Sequence, residues 1–141
     1  MSASIELACQ RLILEFSSSV DSRQYDRLQD IFAANGRFAR PADPDTFLEG
    51  VDSIIASFKS RPATRVTQHL ITNMLVTAES IERARGYCGI LLFSADEASE
   101  DVTGKGRKAT AQLVGRYDDV YTLTASGWRM LERRGRVTFS V

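Results

Sequence analysis

The sequence is poor in the residues that build metal centres and disulfide frameworks. It has one histidine and two cysteines, Cys9 and Cys88, in 141 residues. No C-x-x-C pair and no His/Cys cluster accompanies them, so we expect no protein-bound metal and two buried free thiols. A glycine-rich phosphate loop is also lacking, since Gly104-Lys105-Gly106 is too short and too isolated. No organic cofactor is therefore expected.

A surplus of charge of either sign is absent as well. The 18 basic and 18 acidic side chains give a formal net charge of +0, which argues against nucleic-acid binding and against a polybasic membrane anchor. No apolar run approaches the roughly 20 residues of a membrane-spanning helix. Residues 1–6 lack the basic segment and apolar core of a secretory signal. The sequence predicts a cytoplasmic protein that contacts neither nucleic acid nor membrane.

The first part of the chain has the apolar spacing of helices. Its length fits a single domain over residues 1–141 with one core. A first helix carries an apolar stripe that ends at Phe16, and Asp21-Ser22 has the residue types of a turn and an N-cap. A second helix is predicted after it, ended by Asn35-Gly36, and a third before Pro62. The faces of these two helices are Tyr25, Leu28, Ile31 and Phe32, and Val51, Ile54, Ile55 and Phe58.

The period changes after Pro62, where β-branched residues predict long strands. A short strand is predicted at 36–40 and a loop at 95–106. The four long strands are predicted at Thr64–Thr77, Ile81–Ser94, Arg107–Leu123 and Trp128–Val141. Helices followed by long antiparallel strands indicate an α+β fold. Because long strands twist and coil, we expect a curved, mixed, mainly antiparallel sheet that forms a conical pocket with three N-terminal helices.

His69 is the residue most suited to acid–base chemistry. Strand alternation places Thr67, His69, Ile71 and Asn73 on one face of the first long strand. A histidine facing a cavity acts as a general base if a carboxylate fixes its tautomer, whereas a histidine in a core is simply hydrogen-bonded. Asp21 is either the orienting carboxylate or only a helix N-cap. Spacing alone leaves both alternatives open.

Further residues are candidates for the pocket wall. Arg40 is suited to a substrate oxyanion or carboxylate, although a solvated arginine fits the pattern equally. Tyr25 either points its hydroxyl into the pocket or packs between helices. Gln112 and Tyr117 have opposite parity on one strand, so they face opposite ways unless a bulge intervenes. The full set of pocket candidates is Phe16, Tyr25, Arg40, Phe58, Leu91, Gln112 and Tyr117.

Several short motifs occur in an order that resembles a known family. They are Val20–Leu28, Gly50–Ile54, Thr67–His69 with Thr72-Asn73, and Gly127–Arg129. Together they resemble the SnoaL-like branch of the nuclear-transport-factor-2-like superfamily over nearly the whole chain. The resemblance implies the conical α+β fold described above.

Within that superfamily, the chain is most similar to scytalone dehydratases and hexachlorocyclohexane dehydrochlorinases. These enzymes use a His–Asp pair to remove a proton, and the pair matches His69 and Asp21. The resemblance implies a dehydratase-like lyase or isomerase that acts on a hydrophobic cyclic or aromatic molecule. Groups that assist in those enzymes have no counterpart at Val20, Arg40 and Ser94. Alternatives are a non-catalytic ligand-binding protein, a SnoaL-type polyketide cyclase and a small subunit of an aromatic-ring dioxygenase.

The last strands are expected to carry the subunit interface. The resemblance implies a homodimer or homotrimer formed through the outer face of the sheet. Arg133, Arg134 and Arg136 lie on the final strand, with Arg133 on the opposite face from the other two. We expect surface ion pairs between these arginines and Asp118, Asp119 or Glu132, which contribute little to stability.

Overall fold

A computed structural model describes residues 2–96 and 103–141. These residues form two α-helices, α1 (Ser2–Asp21) and α2 (Val51–Lys59), and a 3₁₀ helix (Tyr25–Asp30). The strands are β1 (Phe32–Ala39), β2 (Phe47–Glu49), β3 (Val66–Ala78), β4 (Arg83–Ala95), β5 (Ala111–Thr124) and β6 (Gly127–Ser140). The predicted α+β class is confirmed, and the loop predicted at 95–106 lies partly outside the described residues.

The strands form one sheet in the order β2-β1-β6-β5-β4-β3. Strands β1 and β6 run parallel, and every other neighbouring pair is antiparallel. The sheet is therefore mixed and mainly antiparallel, as predicted. Helix α1 packs on one face of it, mostly against β3. We call this the inner face, which carries His69 and Tyr117, and the opposite side the outer face, which carries Leu70 and Val114.

The predicted second helix is wrong in its extent. Only a 3₁₀ helix forms over Tyr25–Asp30, and Phe32 already begins β1. The Asn35-Gly36 pair does not end a helix but lies inside β1, where the pairing with β6 shifts register. A Cβ on Gly36 would lie 2.9 Å from the carbonyl oxygen of Ala33. Gly36 thus lies at a close backbone approach within a strand. The Asn-Gly pair alone does not distinguish such a position from the end of a helix.

A bulge in β3 exchanges the inward-facing and outward-facing positions in the second half of the strand. The pairing of β3 with β4 shifts register between Thr72 and Leu75, and Asn73 has a φ of 51°. Asparagine tolerates this left-handed conformation better than most residues. Beyond the bulge, Met74 packs against the core and Val76 is buried. Simple alternation from His69 would put Met74 on the outer face, but the one extra residue of the bulge reverses the parity.

The core is organised around Phe16 of α1. Its side chain is buried, and its ring centroid lies 5.6 to 6.0 Å from those of Phe32, Phe38, Phe58 and Tyr117. These contacts are tilted or edge-to-face, the arrangements that aromatic quadrupoles favour. Helix α2 buries the predicted face. Because the cluster joins α1, β1, α2 and β5, it fixes the helices over the inner face.

The expected surface ion pair of Arg133 is wrong. Arg133 and Asp119 are both fully buried in their side chains. The guanidinium donates from Nε to Oδ1 at 2.8 Å and from Nη2 to Oδ2 at 2.9 Å. The parity argument placed Arg133 on the face opposite to Arg134, and that face is the inner one. Burial thus follows from the helices that cover it.

None of the helices within residues 2–96 and 103–141 combines the length and the hydropathy that crossing a bilayer requires.

Candidate active site

His69 and Asp21 are in direct contact at the edge of the sheet. Asp21 is the last residue of α1, and His69 is the fourth residue of β3. The imidazole Nδ1 lies 2.6 Å from the carboxylate Oδ1. The His69 side chain is only 5% exposed and that of Asp21 is 21% exposed. The ring is thus held away from water while its partner keeps partial contact with solvent.

Three hydrogen bonds converge on the Asp21 carboxylate. The Thr67 hydroxyl donates to Oδ1 at 2.9 Å, and the His69 backbone N–H donates to Oδ2 at 2.8 Å. An ionised carboxylate only accepts hydrogen bonds, so a neutral His69 paired with it carries its proton on Nδ1. The other ring nitrogen, Nε2, is then left with a free lone pair. It has no hydrogen-bond partner among the described residues.

A helix-terminating turn places Asp21 at this point. The Arg23 N–H donates to the Val20 carbonyl at 3.2 Å and the Gln24 N–H to the Ser19 carbonyl at 2.9 Å, which is the Schellman pattern. Arg23 occupies the left-handed position with a φ of 61°. The predicted N-cap role of Asp21 is therefore wrong, since α1 continues through the serines to Asp21 itself.

The side chain of Arg23 explains why a residue other than glycine takes the left-handed position. Its Nη2 donates to the backbone carbonyls of Pro62 and Arg65. These contacts join the end of α1 to the segment that enters β3. A left-handed arginine costs about 1 kcal/mol, and the two hydrogen bonds offset this cost. They also keep the end of α1, with Asp21, next to the start of β3, with His69.

A cavity of about 210 Å³ lies on the inner face next to His69. Most of its wall is apolar, and its polar groups are His69, Tyr117 and three arginines. The residues that line it are Phe16, Val20, Phe38, Arg40, Pro41, Ala42, Phe58, Arg61, Arg65, His69, Leu92, Leu113 and Tyr117. Such a wall, apolar with a few convergent polar groups, is typical of small-molecule sites.

The structure brings four of the seven predicted pocket residues to this cavity, namely Phe16, Arg40, Phe58 and Tyr117. Tyr25 does not line it but stacks on Phe58 with ring centroids 5.7 Å apart. The prediction for Leu91 and Gln112 is corrected, because both lie on the outer face. Leu91 pairs with Leu70 and Val114, so strand alternation turns the neighbouring Leu92 and Leu113 inward instead.

Sequence reasoning missed Arg61 and Arg65 altogether. They flank Pro62 in the connection between α2 and β3, where the sequence shows only a helix stop. A charged residue in a loop carries no signal of what it faces. Only the path of this connection across the cavity, held by Arg23, brings both arginines to its wall.

Tyr117 is the polar group on the sheet side of the cavity. Burial raises its pKa to about 12, against a smaller opposing effect of Arg133. The Arg133 guanidinium lies 4.1 Å from the Tyr117 ring centroid. No hydrogen bond of the Tyr117 hydroxyl to another described residue is present. The phenol therefore stays protonated at neutral pH and is available to donate to a bound oxygen.

The described residues contain no cluster of metal-ligating side chains. Nowhere within them do three or more His, Cys, Asp or Glu side chains come together as a metal site requires.

Solved structures with the same fold include a scytalone dehydratase-like protein and a dehydrochlorinase. A scytalone dehydratase-like protein from Novosphingobium aromaticivorans has a TM-score of 0.77 and 18% identity, over 95% of this chain and 84% of that one. A type 2 hexachlorocyclohexane dehydrochlorinase has a TM-score of 0.79 and 17% identity, over 99% and 88%. A nuclear-transport-factor-2-like protein with a cystatin-like fold, also from N. aromaticivorans, has a TM-score of 0.73 and 18% identity, over 93% and 80%.

These identities are low, so the likeness shows the fold and not the activity. No curated protein has a significantly similar sequence. A family model, in contrast, matches residues 1–134, which is nearly the whole chain. The α+β fold agrees with this match, and the chain belongs to the SnoaL-like domain family.

Proposed function

We propose that this protein is a lyase or isomerase in which His69 removes a proton from a small cyclic or aromatic molecule held in the cavity. The observation that carries the proposal is the 2.6 Å contact between His69 Nδ1 and Asp21 Oδ1. It assigns Nδ1 as the donor and leaves Nε2 as the basic nitrogen. The adjacent, partly buried carboxylate also stabilises the imidazolium that forms when Nε2 accepts a proton.

The position of the ring between two spaces supports this assignment. His69 lines both the cavity and a groove between α1 and β3, whereas Asp21 lines the groove but not the cavity. The Nδ1 edge of the ring is turned toward Asp21. Nε2 is the nitrogen remaining for the cavity, where a substrate would lie.

The proposed reaction needs only one proton-accepting atom on the enzyme, Nε2 of His69. Nε2 takes a proton from a substrate carbon, and the electrons of the broken C–H bond form a new double bond. In an elimination the neighbouring bond to oxygen or chlorine breaks, and the leaving group carries away its electron pair. The imidazolium then gives up the proton, to the departing hydroxide as water or to solvent when chloride leaves. In an isomerisation the proton goes to the far carbon of a neighbouring double bond, whose electrons form the new C–H bond.

Tyr117 supplies a complementary group. Its hydroxyl belongs to a cavity-lining residue, and its raised pKa, about 12, keeps it a hydrogen-bond donor. A neutral donor aimed at developing negative charge lowers the barrier to proton removal. Two proteins of similar structure are named as scytalone dehydratase-like and as a hexachlorocyclohexane dehydrochlorinase. Both names are in keeping with a base of this kind.

The test follows proton removal directly, before the leaving group is known. Cyclic and aromatic hydroxylated or chlorinated compounds are incubated with the protein in D₂O. Deuterium incorporation and loss of water or chloride are read by NMR and mass spectrometry. His69→Ala and Asp21→Asn are expected to lower the rate about 10²- to 10⁴-fold, the usual contribution of a general base.

The matched control is Gln68→Ala, which changes the preceding residue on the outer side of the same strand and is expected to keep the parental rate. Circular dichroism establishes that all variants remain folded. If His69→Ala and Asp21→Asn both keep full activity on a compound that is turned over, the pair is structural and the proposal fails.

A further inference from the structure

Three arginines line one part of the cavity, and we call them the arginine triad. They are Arg40, directly after β1, Arg61, after α2, and Arg65, directly before β3. Chain segments that are distant in sequence thus bring three cations to a cavity of about 210 Å³. Its lining includes no aspartate and no glutamate.

None of the three guanidinium groups forms an ion pair with a carboxylate in the described part of the chain. Elsewhere, arginines such as Arg37, Arg85 and Arg133 pair with acidic side chains. In the triad, Arg40 instead donates to the Ser57 hydroxyl at 2.7 Å. Its guanidinium carbon lies 4.7 Å from the Phe58 ring centroid, and that of Arg61 lies 5.5 Å from the same centroid. Packing on one ring orients both cations without neutralising them.

This arrangement is unfavourable for an empty cavity. Burial is the largest cause that lowers the pKa of Arg40 and of Arg61. Repulsion from neighbouring arginines adds to it, while Tyr117 and Tyr25 act in the opposite direction. An arginine stays charged nonetheless, so the fold holds like charges together in a partly desolvated place. A bound anion would relieve both costs, since it supplies the counter-charge and accepts the unused N–H groups.

We propose that the arginine triad binds the carboxylate of an organic acid whose apolar ring occupies the aromatic wall of the cavity. The inference deepens the proposed function, because it names the substrate class of the same site. A carboxylate suits the triad better than a phosphate dianion, since a half-buried site desolvates a monoanion at lower cost. The small volume restricts the apolar part to about one ring, below the usual range for drug-sized ligands.

The ligand is anchored at one end and reacts at the other. Phe16 of α1, Leu92 of β4 and Leu113 of β5 contribute apolar surface to the same cavity. Anchoring the carboxylate would bring carbons of the ring toward His69 and Tyr117, which share that cavity. Bidentate arginine contacts fix orientation as well as affinity, which is what a base needs to select one proton.

The test compares two probes of nearly equal shape. Benzoate and the neutral benzamide are titrated into the protein by isothermal calorimetry at low and moderate salt. We expect benzoate to bind at least about tenfold tighter than benzamide, the effect of charged hydrogen bonds, and to weaken with added salt. Arg61→Gln and Arg65→Gln are each expected to weaken benzoate binding about tenfold without changing benzamide binding.

The matched control is Arg83→Gln, which removes an arginine at the start of β4 outside the cavity and is expected to change nothing. Equal affinity for the two probes, or triad variants that bind benzoate like the parent, would overturn the inference. Inorganic phosphate that competes with benzoate as well as benzoate itself would overturn the assignment to a carboxylate.

Failure of the triad and failure of the base are separable. His69→Ala is expected to keep benzoate binding while losing turnover. Benzoate bound through the arginines with unchanged turnover in His69→Ala would leave this inference standing and contradict the proposed base. The reverse result, lost turnover in His69→Ala with no preference for benzoate, would leave the base standing and contradict the triad.

Discussion

Arg133 and Asp119 form a bidentate ion pair in which neither side chain is exposed, beneath the aromatic rings that line the cavity. The Arg133 guanidinium also lies 4.6 Å from the Phe16 ring centroid and 4.1 Å from that of Tyr117. The pair therefore links the sheet to the wall of the proposed site. Burial lowers the pKa of Arg133, but the contact with Asp119 more than compensates, so the net shift is upward.

Asp119→Asn is predicted to destabilise the protein by about 3–5 kcal/mol, because it leaves a buried guanidinium without its counter-charge. Urea unfolding measures the difference. The neighbouring Asp118→Asn is a matched control, since Asp118 pairs with Arg116 where both side chains are over 40% exposed. That change is expected to cost less than about 1 kcal/mol. Equal losses of unfolding free energy in the two variants would show that the buried pair contributes no more to stability than the exposed one.

Alkaline pH is predicted to lower the free energy of unfolding. Burial raises the pKa of Cys9 from 9.0 to about 12, and that of Tyr117 from 10.0 to about 12. An unfolded chain ionises at these groups at lower pH than the folded one. The contribution of these neutral buried groups to the free energy of unfolding is thus complete below pH 9. It is lost as the pH rises toward 12.

Urea midpoints measured from neutral pH upward test this prediction. Cys9→Ala and Tyr117→Phe are each expected to flatten the decline, whereas Tyr87→Phe, at a residue that is 36% exposed, is not. A decline that is the same in all four proteins would mean that these buried groups are not its cause.

The outer face is predicted to bind a second copy of the chain. Leu70, Leu91, Val114 and Phe139 are paired in one row across four strands. Leu70, Val114 and Phe139 are 41%, 39% and 69% exposed, an unusual exposure for adjacent apolar side chains. We expect a homodimer or homotrimer that buries this row. Sedimentation should show dissociation in Val114→Asp and none in the loop variant Ser126→Asp. A parent protein that sediments as a monomer would exclude this role.

Local patterns predicted the long strands and α2 because strand alternation and helix stops act over a few residues. Val51, Ile54, Ile55 and Phe58 are buried on one face, as their spacing indicates. The pair of His69 and Asp21 came from the family resemblance rather than from spacing. Asp21 has the residue type of an N-cap, and only the Schellman turn shows that it ends a helix instead.

Features that depend on contacts between residues distant in sequence could not be predicted from local sequence patterns. The bulge at Asn73 reverses which residues face inward, and no local signal distinguishes it from regular strand. Arg61 and Arg65 face the cavity only because Arg23 holds their segment in place. The burial of Arg133 likewise depends on helices that are about one hundred residues away in sequence.

We infer that Asp21 fixes His69 with its proton on Nδ1 and its free lone pair on Nε2. Because the chain has a single histidine, ¹⁵N labelling of histidine gives one imidazole signal set without assignment. At a pH where the ring is neutral, we expect a protonated Nδ1 and an unprotonated Nε2, and loss of this preference in Asp21→Asn. A ring protonated on Nε2, or a spectrum that Asp21→Asn leaves unchanged, would contradict it.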